Sequence, residues 1–131
     1  MDTVLVPVRY PLSGQSITTL SNAIDIADER DAELIVLHVS LYQLGNRVTV
    51  DDLKNDVQRT IGSIHNVRYL VRNGFLVEQG IVEEIADERA DVVVIGNKHL
   101  SGWKRGLNWL RSKPNIAEYL ERHVDCEIIV V

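Results

Sequence analysis

Five short runs of apolar, mostly β-branched residues are spaced along the chain. They cover residues 3–8, 33–39, 67–71, 92–95 and 127–131. Most of these runs are continuous and do not alternate with polar residues, which is typical of strands that helices cover on both faces of a parallel sheet. The pattern therefore excludes a sandwich or barrel with one solvent-facing side.

Segments with apolar residues at helical spacing separate these runs. Three stripes are clear: Ile17, Leu20, Ile24 and Ala27; Val50, Leu53, Val57 and Ile61; Ile81, Val82, Ile85 and Ala86. A shorter helix carries Ile116 and Leu120, with Asn115 as a suitable N-cap, and Ser13 is a suitable N-cap for the first helix. Strands alternating with helices predict βαβ units, and hence a doubly wound, three-layer α/β domain with a five-stranded parallel sheet.

Composition adds size and setting to this prediction. The 131 residues, 45% of them hydrophobic, suffice for one core, so a single domain over residues 1–131 is expected. Cys126 is the one cysteine, so no internal disulfide can form, and a reducing cytoplasmic location is predicted. The amino terminus has the pattern of a strand and not of a signal peptide. No apolar run approaches the roughly 18 residues that span a bilayer, so a soluble protein is expected.

Charge is distributed unevenly. The net charge of −5 argues against general nucleic-acid binding, which needs a basic face. Between Gly96 and Glu118, however, there is no acidic residue, and the chain there carries Lys98, Lys104, Arg105, Arg111 and Lys113.

Two stretches without periodicity, residues 40–48 and 97–113, follow the second and fourth predicted strands. In open α/β sheets, ligands bind at the carboxyl ends of the strands, where the strand order reverses. A loop of 17 residues is long for a compact domain and is usually functional or disordered. The functional surface is therefore predicted at this end of the sheet.

Several local strings in this order resemble the universal stress protein family. They are VLVPV at residues 4–8, ELIVLHV at 33–39, VRNG at 71–74, IVEEIADERADVVVIGN at 81–97 and ERHVDCEIIVV at 121–131. The resemblance implies a flavodoxin-like, adenine nucleotide alpha hydrolase-like fold with strand order 3-2-1-4-5. It also implies a homodimer formed by antiparallel pairing of the last strands, residues 127–131, and such pairing would satisfy an exposed sheet edge.

The family's ATP-binding members carry the pattern Gly-x2-Gly-x9-Gly-Ser/Thr after the fourth strand and an Asp at the end of the first. Gly96 matches the first glycine, but His99 replaces the second, and Pro114 and Asn115 replace the closing pair. Proline offers no N–H to a phosphate group. Arg9 stands where the family has its Asp. Conventional ATP binding is therefore not expected.

The basic loop has two interpretations: an anion site for a nucleotide or another small ligand, or a solvated segment that pairs with the acidic body. The candidate site residues are Val8, Arg9, Val39, Gly96, Lys98, Gly102, Lys104, Arg105, Gly106, Ser112 and Asn115. The resemblance implies that the backbone of Val8 and Val39 would hold adenosine if a nucleotide binds.

Both tryptophans, Trp103 and Trp109, lie in the same loop. If exposed, they would suit a protein partner or stacking on a base, and if buried they would anchor the loop to the domain.

Catalytic and metal signatures are missing from the sequence. His38 and His99 follow the second and fourth strands, but no Cys or acidic ligand is spaced near them, so no metal site is predicted. No phosphate-loop lysine motif or nucleophile motif occurs. The sequence thus predicts a non-enzymatic stress-response homodimer. The alternatives are an ATP-binding member with a rearranged phosphate loop and a weak nucleotide hydrolase.

Overall fold

The computed structural model describes residues 2–45, 47–96 and 116–131. They contain one parallel sheet with the strand order β3-β2-β1-β4-β5, which confirms the predicted fold class. The strands are β1 Thr3–Pro7, β2 Glu33–Leu41, β3 Val67–Gly74, β4 Val92–Ile95 and β5 Glu127–Val130. The helices are α1 Gly14–Glu29, α2 Val50–Thr60, α3 Val77–Glu88 and α4 Ile116–His123, and a 3₁₀ turn covers Tyr42–Leu44.

Alternate side chains of the sheet enter two separate cores. On one face, Val4 and Val6 pack with Leu20 of α1 and Leu53 of α2, all fully buried. On the other face, the core unites Leu5, Ile35 and Leu37 of the sheet with Ile81 of α3 and Leu120 of α4. Since successive residues of a strand point to opposite faces, a strand that serves both cores must be apolar throughout.

The second and third strands extend beyond their predicted ends. Residues 40 and 41 were expected to start an aperiodic loop, but Ser40 pairs with Asn73 and Leu41 pairs with Gly74 in the β2–β3 ladder. Ser40 is a buried strand residue, but its polar side chain interrupts the apolar pattern, so this strand position could not be recognised from the sequence. Conversely, β1 stops at Pro7, one residue earlier than predicted.

The helix stripes are mostly confirmed, with two exceptions. Val50 is 43% exposed and Ala86 is exposed as well, so neither belongs to the core. Val50 is the first residue of α2, and its side chain does not face the core.

The N-cap predicted for α1 is confirmed, because the Ser13 hydroxyl accepts the backbone N–H of Ser16 at 3.1 Å. A capping box that the sequence analysis did not identify starts α2. There the N–H of Asp52 donates to the Thr49 hydroxyl and the N–H of Thr49 donates to the Asp52 carboxylate, each at 3.0 Å. The predicted cap Asn115 lies outside the described residues.

Two arginines attach the edge strand β3 to the acidic side of α3. Arg72 donates to Glu84 at 2.9 Å and to Glu83 at 3.1 Å, and it also pairs with Asp87. Earlier in the same strand, Arg68 binds Glu33 of β2 and Glu88 of α3. The side chain of Glu84 is only 9% exposed, so Arg72 compensates a nearly buried carboxylate.

Candidate functional site

The sheet order reverses between β1 and β4, and these two strands end side by side. From β1 the chain proceeds to β2 on one side, and after β3 it crosses to β4 on the other side of β1. The carboxyl ends of β1 and β4, near Val8 and Gly96, therefore form the switch point at which doubly wound folds bind ligands. We call this place the switch-point crevice.

The segment that joins β1 to α1 is fixed by hydrogen bonds from two helices. The N–H of Arg9 donates to the hydroxyl of Ser16 at 3.0 Å, and the N–H of Leu12 donates to the carboxylate of Asp56 at 2.8 Å. Asp56 is 6% exposed and also accepts from Arg59 at 2.9 Å. One wall of the crevice is therefore held in place by α1 and α2 before any ligand arrives.

Both backbone groups of Val8 already have partners. Its N–H donates to Leu37 O at 2.8 Å, which continues the β1–β2 ladder past Pro7. Its carbonyl lies 3.0 Å from Nδ1 of His38. Because a carbonyl can only accept, Nδ1 carries the proton and Nε2 is left with a lone pair.

His38 is neutral at physiological pH. Its partial burial lowers its pKa below the ordinary value of 6.5, and the hydrogen bond to Val8 opposes this shift more weakly. The ring of Tyr10 stands 6.1 Å from the imidazole, centroid to centroid. The sequence indicates His38 only as a metal candidate, and its contact with Val8 is not visible there, since the two residues are 30 positions apart.

Gly96 lies directly beneath the first two turns of α1. A Cβ atom placed on Gly96 would stand 2.1 Å from Nε2 of Gln15 and 2.5 Å from Oγ1 of Thr19. Both distances are far below van der Waals contact, so a glycine is required here by helix–sheet packing. The residue that matched the first glycine of the family pattern thus has a packing role in this chain.

Val39 contacts the opposite face of the sheet. It is 6% exposed, and its methyl groups stand 2.9 Å from the point where a Cβ on Gly80 of α3 would lie. Gly80 therefore allows α3 to approach β2 closely, and the Val39 side chain belongs to the core. Any role of Val39 toward a ligand has to come from its backbone.

The structure brings together only part of the predicted site. Val8, Arg9 and Gly96 lie around the switch-point crevice, and the Arg9 side chain is exposed at its mouth. Outside the described residues lie Lys98, Gly102, Trp103, Lys104, Arg105, Gly106, Trp109, Ser112 and Asn115. Gln15 and Thr19, which line the crevice, carry no motif that could have identified them from sequence.

A depression of about 140 Å³ lies at the carboxyl ends of β2 and β3. Beside it, the exposed rings of Tyr42 and Phe75 pack at 4.9 Å between centroids, and Gln43 donates to the Phe75 carbonyl at 2.9 Å. Its lining is formed by Ser40, Leu41, Tyr42, Gly45, Arg47 and Asn73. The predicted loop 40–48 therefore contributes a surface feature even though its first two residues are strand.

Within residues 2–45, 47–96 and 116–131, no three His, Cys, Asp or Glu side chains are arranged so that they could hold a metal ion. The same residues contain no helix with the length and hydrophobicity needed to cross a membrane.

The strand order and the crevice at its switch point define a doubly wound α/β protein of the flavodoxin-like type. The sequence model of the universal stress protein family matches residues 1–131. The chain belongs to the universal stress protein family, as its sequence strings indicated. No functionally curated protein shows significant sequence similarity to it.

Solved structures share its fold at low sequence identity. A universal stress protein crystallised in complex with cAMP superposes with a TM-score of 0.73 at 18% identity, over 99% of this chain and 95% of that one. Universal stress protein UspA from Lactobacillus plantarum gives 0.69 at 18% identity, over 99% and 97%. A universal stress protein from Archaeoglobus fulgidus DSM 4304 gives 0.72 at 20% identity, over 98% of this chain and 43% of that one.

Proposed function

We propose that this chain is a non-enzymatic regulatory protein of the stress response that acts as a homodimer and does not hold ATP in the family's conventional manner. Its ligand surface lies at the carboxyl ends of β1 and β4 and continues into residues 97–113. The ligand class is a small anion-bearing molecule, and a protein partner is the alternative that the experiments below distinguish.

The contact between His38 and Val8 is the observation that carries this proposal. A backbone that presents an adenine ring must offer free N–H or C=O groups, and both groups of Val8 are engaged at 2.8 Å and 3.0 Å. The Val8 N–H is therefore not available to an adenine ring, and its carbonyl could accept a second hydrogen bond only beside the His38 imidazole. Because His38 is neutral, its imidazole adds no positive charge that would attract a phosphate group to Val8.

Charge supports an anionic ligand that approaches from outside the crevice. Arg9 has an exposed side chain at the crevice mouth, where the family's ATP-binding members have an Asp that the resemblance associates with the nucleotide. The sequence of residues 97–113 adds five basic residues and no acidic ones. Guanidinium groups suit phosphate and carboxylate groups because they can donate two hydrogen bonds in one plane.

The β5 edge supports the homodimer. Glu127 N–H donates to Asp91 O at 3.1 Å and Val131 N–H donates to Ile95 O at 2.8 Å, so these amides face β4. Since backbone groups alternate along a strand, the amides of Ile128 and Val130 face the open edge. The Val130 side chain is 44% exposed there. A second copy that pairs antiparallel would satisfy these groups symmetrically.

Nucleotide binding is tested by native mass spectrometry of the freshly purified protein, followed by calorimetric titration with ATP, AMP, cyclic AMP and inorganic phosphate. We expect no ATP carried through purification and no ATP turnover. Stoichiometric bound ATP would contradict the proposal and favour the ATP-binding alternative, and phosphate release would favour the hydrolase.

The role of Arg9 is tested with Arg9→Gln and a matched control, Arg122→Gln, whose arginine is exposed at the end of α4, on the opposite side of the sheet. Losing one charge-assisted contact should weaken the best-bound anion about tenfold in Arg9→Gln and leave it unchanged in the control. Equal losses in both variants would show that only net charge matters. If no anion binds the wild type, a protein partner is the better interpretation.

The dimer is tested with Val130→Pro, which removes one outward N–H, and with Val130→Thr, which keeps it. Size-exclusion chromatography with light scattering should show a dimer for the wild type and for Val130→Thr and a monomer for Val130→Pro, with unchanged circular dichroism. A Val130→Pro protein that still dimerises would exclude pairing through β5.

A further inference from the structure

The first turns of α1 cross the switch-point crevice and bring a polar side chain onto the end of β4. Gln15 is the second residue of α1, and its side chain reaches Gly96, the residue that follows β4. Thr19 lies one helical turn later on the same side of the helix.

The Gln15 amide occupies the space directly above Gly96. The position of a Cβ on Gly96 would lie 2.1 Å from Gln15 Nε2 and 3.1 Å from its amide carbon. No room for another group exists between these two residues. Among the described residues, the Gln15 amide is therefore the group that covers the end of β4 on the side of α1.

Local hydrogen bonds hold this amide in place without burying it fully. Gln15 Nε2 donates to the Thr19 hydroxyl at 3.1 Å, and that hydroxyl donates to the Gln15 carbonyl at 2.9 Å. Thr19 is 3% exposed, whereas Gln15 is half-buried. A single neutral side-chain hydrogen bond holds the amide, so a ligand could displace it at a modest cost.

We infer that Gln15 determines which ligands enter the switch-point crevice, because its amide closes the space between α1 and Gly96. The inference rests on the proposed function, in which this crevice is part of the ligand surface. It adds that the Gln15 side chain at Gly96, together with the His38 imidazole at Val8, limits the room for an adenine nucleotide in the crevice.

We attribute the closing effect to the size of the Gln15 side chain and not to hydrogen bonding between its amide and a ligand. Two substitutions distinguish these effects. Gln15→Ala removes both the bulk and the amide, whereas Gln15→Leu keeps a side chain of similar size without the amide. Asn22→Ala is the matched control, since Asn22 carries an amide on the same helix that only donates to Thr18 O, at 2.9 Å.

The experiment is calorimetric titration of the four full-length proteins with AMP, cyclic AMP and ATP, with circular dichroism to verify folding. If the crevice of the wild type is open in about a tenth of the molecules, Gln15→Ala should bind at least one of these nucleotides about tenfold more tightly. Gln15→Leu and Asn22→Ala should bind like the wild type.

Three results would overturn the inference: equal affinities of Gln15→Ala and the wild type, no binding by either protein, or a gain in Gln15→Leu equal to that in Gln15→Ala. These results are distinct from a failure of the proposed function. That proposal fails when the wild type itself carries stoichiometric ATP, whereas the inference depends on the ratio of affinities between variants.

Discussion

Replacing Gly96 with alanine tests the packing at the switch-point crevice without any ligand. The new Cβ would lie 2.1 Å from Gln15 Nε2 and 2.5 Å from Thr19 Oγ1. Gln15 can relieve part of this overlap by rotating its side chain, but the rotation breaks the hydrogen bond from its amide to the Thr19 hydroxyl. Thr19 cannot move as easily, since it is 3% exposed, β-branched and bonded to the Gln15 carbonyl.

The expected cost follows from two opposing effects. Overpacking of this kind destabilises a fold by about 1–3 kcal/mol, and the displaced Thr19 hydroxyl adds about 1 kcal/mol if its hydrogen bond is lost. Gly96 does not have a positive φ, so its backbone conformation would not strain an alanine. Alanine also restricts the unfolded chain more than glycine does, which offsets about 0.5 kcal/mol of the lost stability. The net loss of unfolding free energy should be about 2 kcal/mol.

The assay is urea unfolding followed by far-ultraviolet circular dichroism for the wild type, Gly96→Ala, Gln15→Ala and the double variant. A single domain of this size is expected to unfold in one step, so free energies can be compared directly. If Gln15 lies on Gly96, the double variant should be more stable than the sum of the single losses predicts, by about 1 kcal/mol. Additivity within about 0.4 kcal/mol would refute the contact, and with it the steric basis assigned to Gln15.

Three further predictions concern the rest of the fold. Arg72→Met should lower the unfolding free energy in urea by about 3 kcal/mol, because it leaves the nearly buried Glu84 carboxylate without its partner. Arg68→Met breaks more exposed ion pairs and should cost at most about 1 kcal/mol, so equal costs would contradict a special role of the Arg72–Glu84 pair. Tyr69→Phe should stabilise the protein by about 1 kcal/mol, since the Tyr69 hydroxyl is buried without a hydrogen-bond partner among the described residues, and a loss of stability would reveal a partner. Burial lowers the pKa of His38, so below about pH 6.5 the unfolded chain binds a proton more readily than the folded protein does, and the stability that neutral His38 contributes at higher pH is lost. Between pH 7 and pH 5, the unfolding free energy should therefore fall less steeply in His38→Gln than in the wild type, and parallel curves would exclude this role.

The strands could be predicted from sequence because burial on both faces leaves a direct trace in it. Residues 34–37 of β2 are fully or almost fully buried, and all four are aliphatic. The end of β2 left no such trace. Ser40 and Leu41 are held by pairing with β3, more than 30 positions away, and pairing between distant residues is not visible in a local pattern.

The string Ile-Ala-Asp-Glu-Arg occurs twice in the chain, and it shows that local sequence alone does not determine the conformation of a helix end. The copies at residues 26–30 and 85–89 both end a helix, yet the two ends differ in conformation. After α1 the left-handed residue is Asp31, with φ of 52°, whereas after α3 it is Arg89 itself, with φ of 53°. Arg30 pairs with Glu127 of β5 at 2.8 Å, and no described acidic group pairs with Arg89. Tertiary contacts therefore select the exact helix end.

The candidate site was only partly predictable, because its residues meet in space and not in sequence. Arg9 and Gly96 could be identified because the family resemblance places them at the positions of its Asp and its first glycine. Gln15 could not, since a glutamine does not indicate a ligand site by itself, and His38 could be recognised only as a metal candidate. Their importance follows from what they touch: the space above Gly96 for Gln15 and the Val8 carbonyl for His38.

The position of these residues explains how the fold can persist while the site changes. The core side chains of β1, Val4 through Val6, are fully buried, and any change there would disturb one of the two cores. Arg9 follows the last paired residue of β1 and is exposed, and Gln15 is half-buried. Substitutions at these two positions alter the charge and the size of the crevice at little cost in stability. The 18% identical universal stress protein crystallised with cAMP shares this fold, but a shared fold does not assign its ligand to this chain, so ligand binding has to be established residue by residue at the switch point.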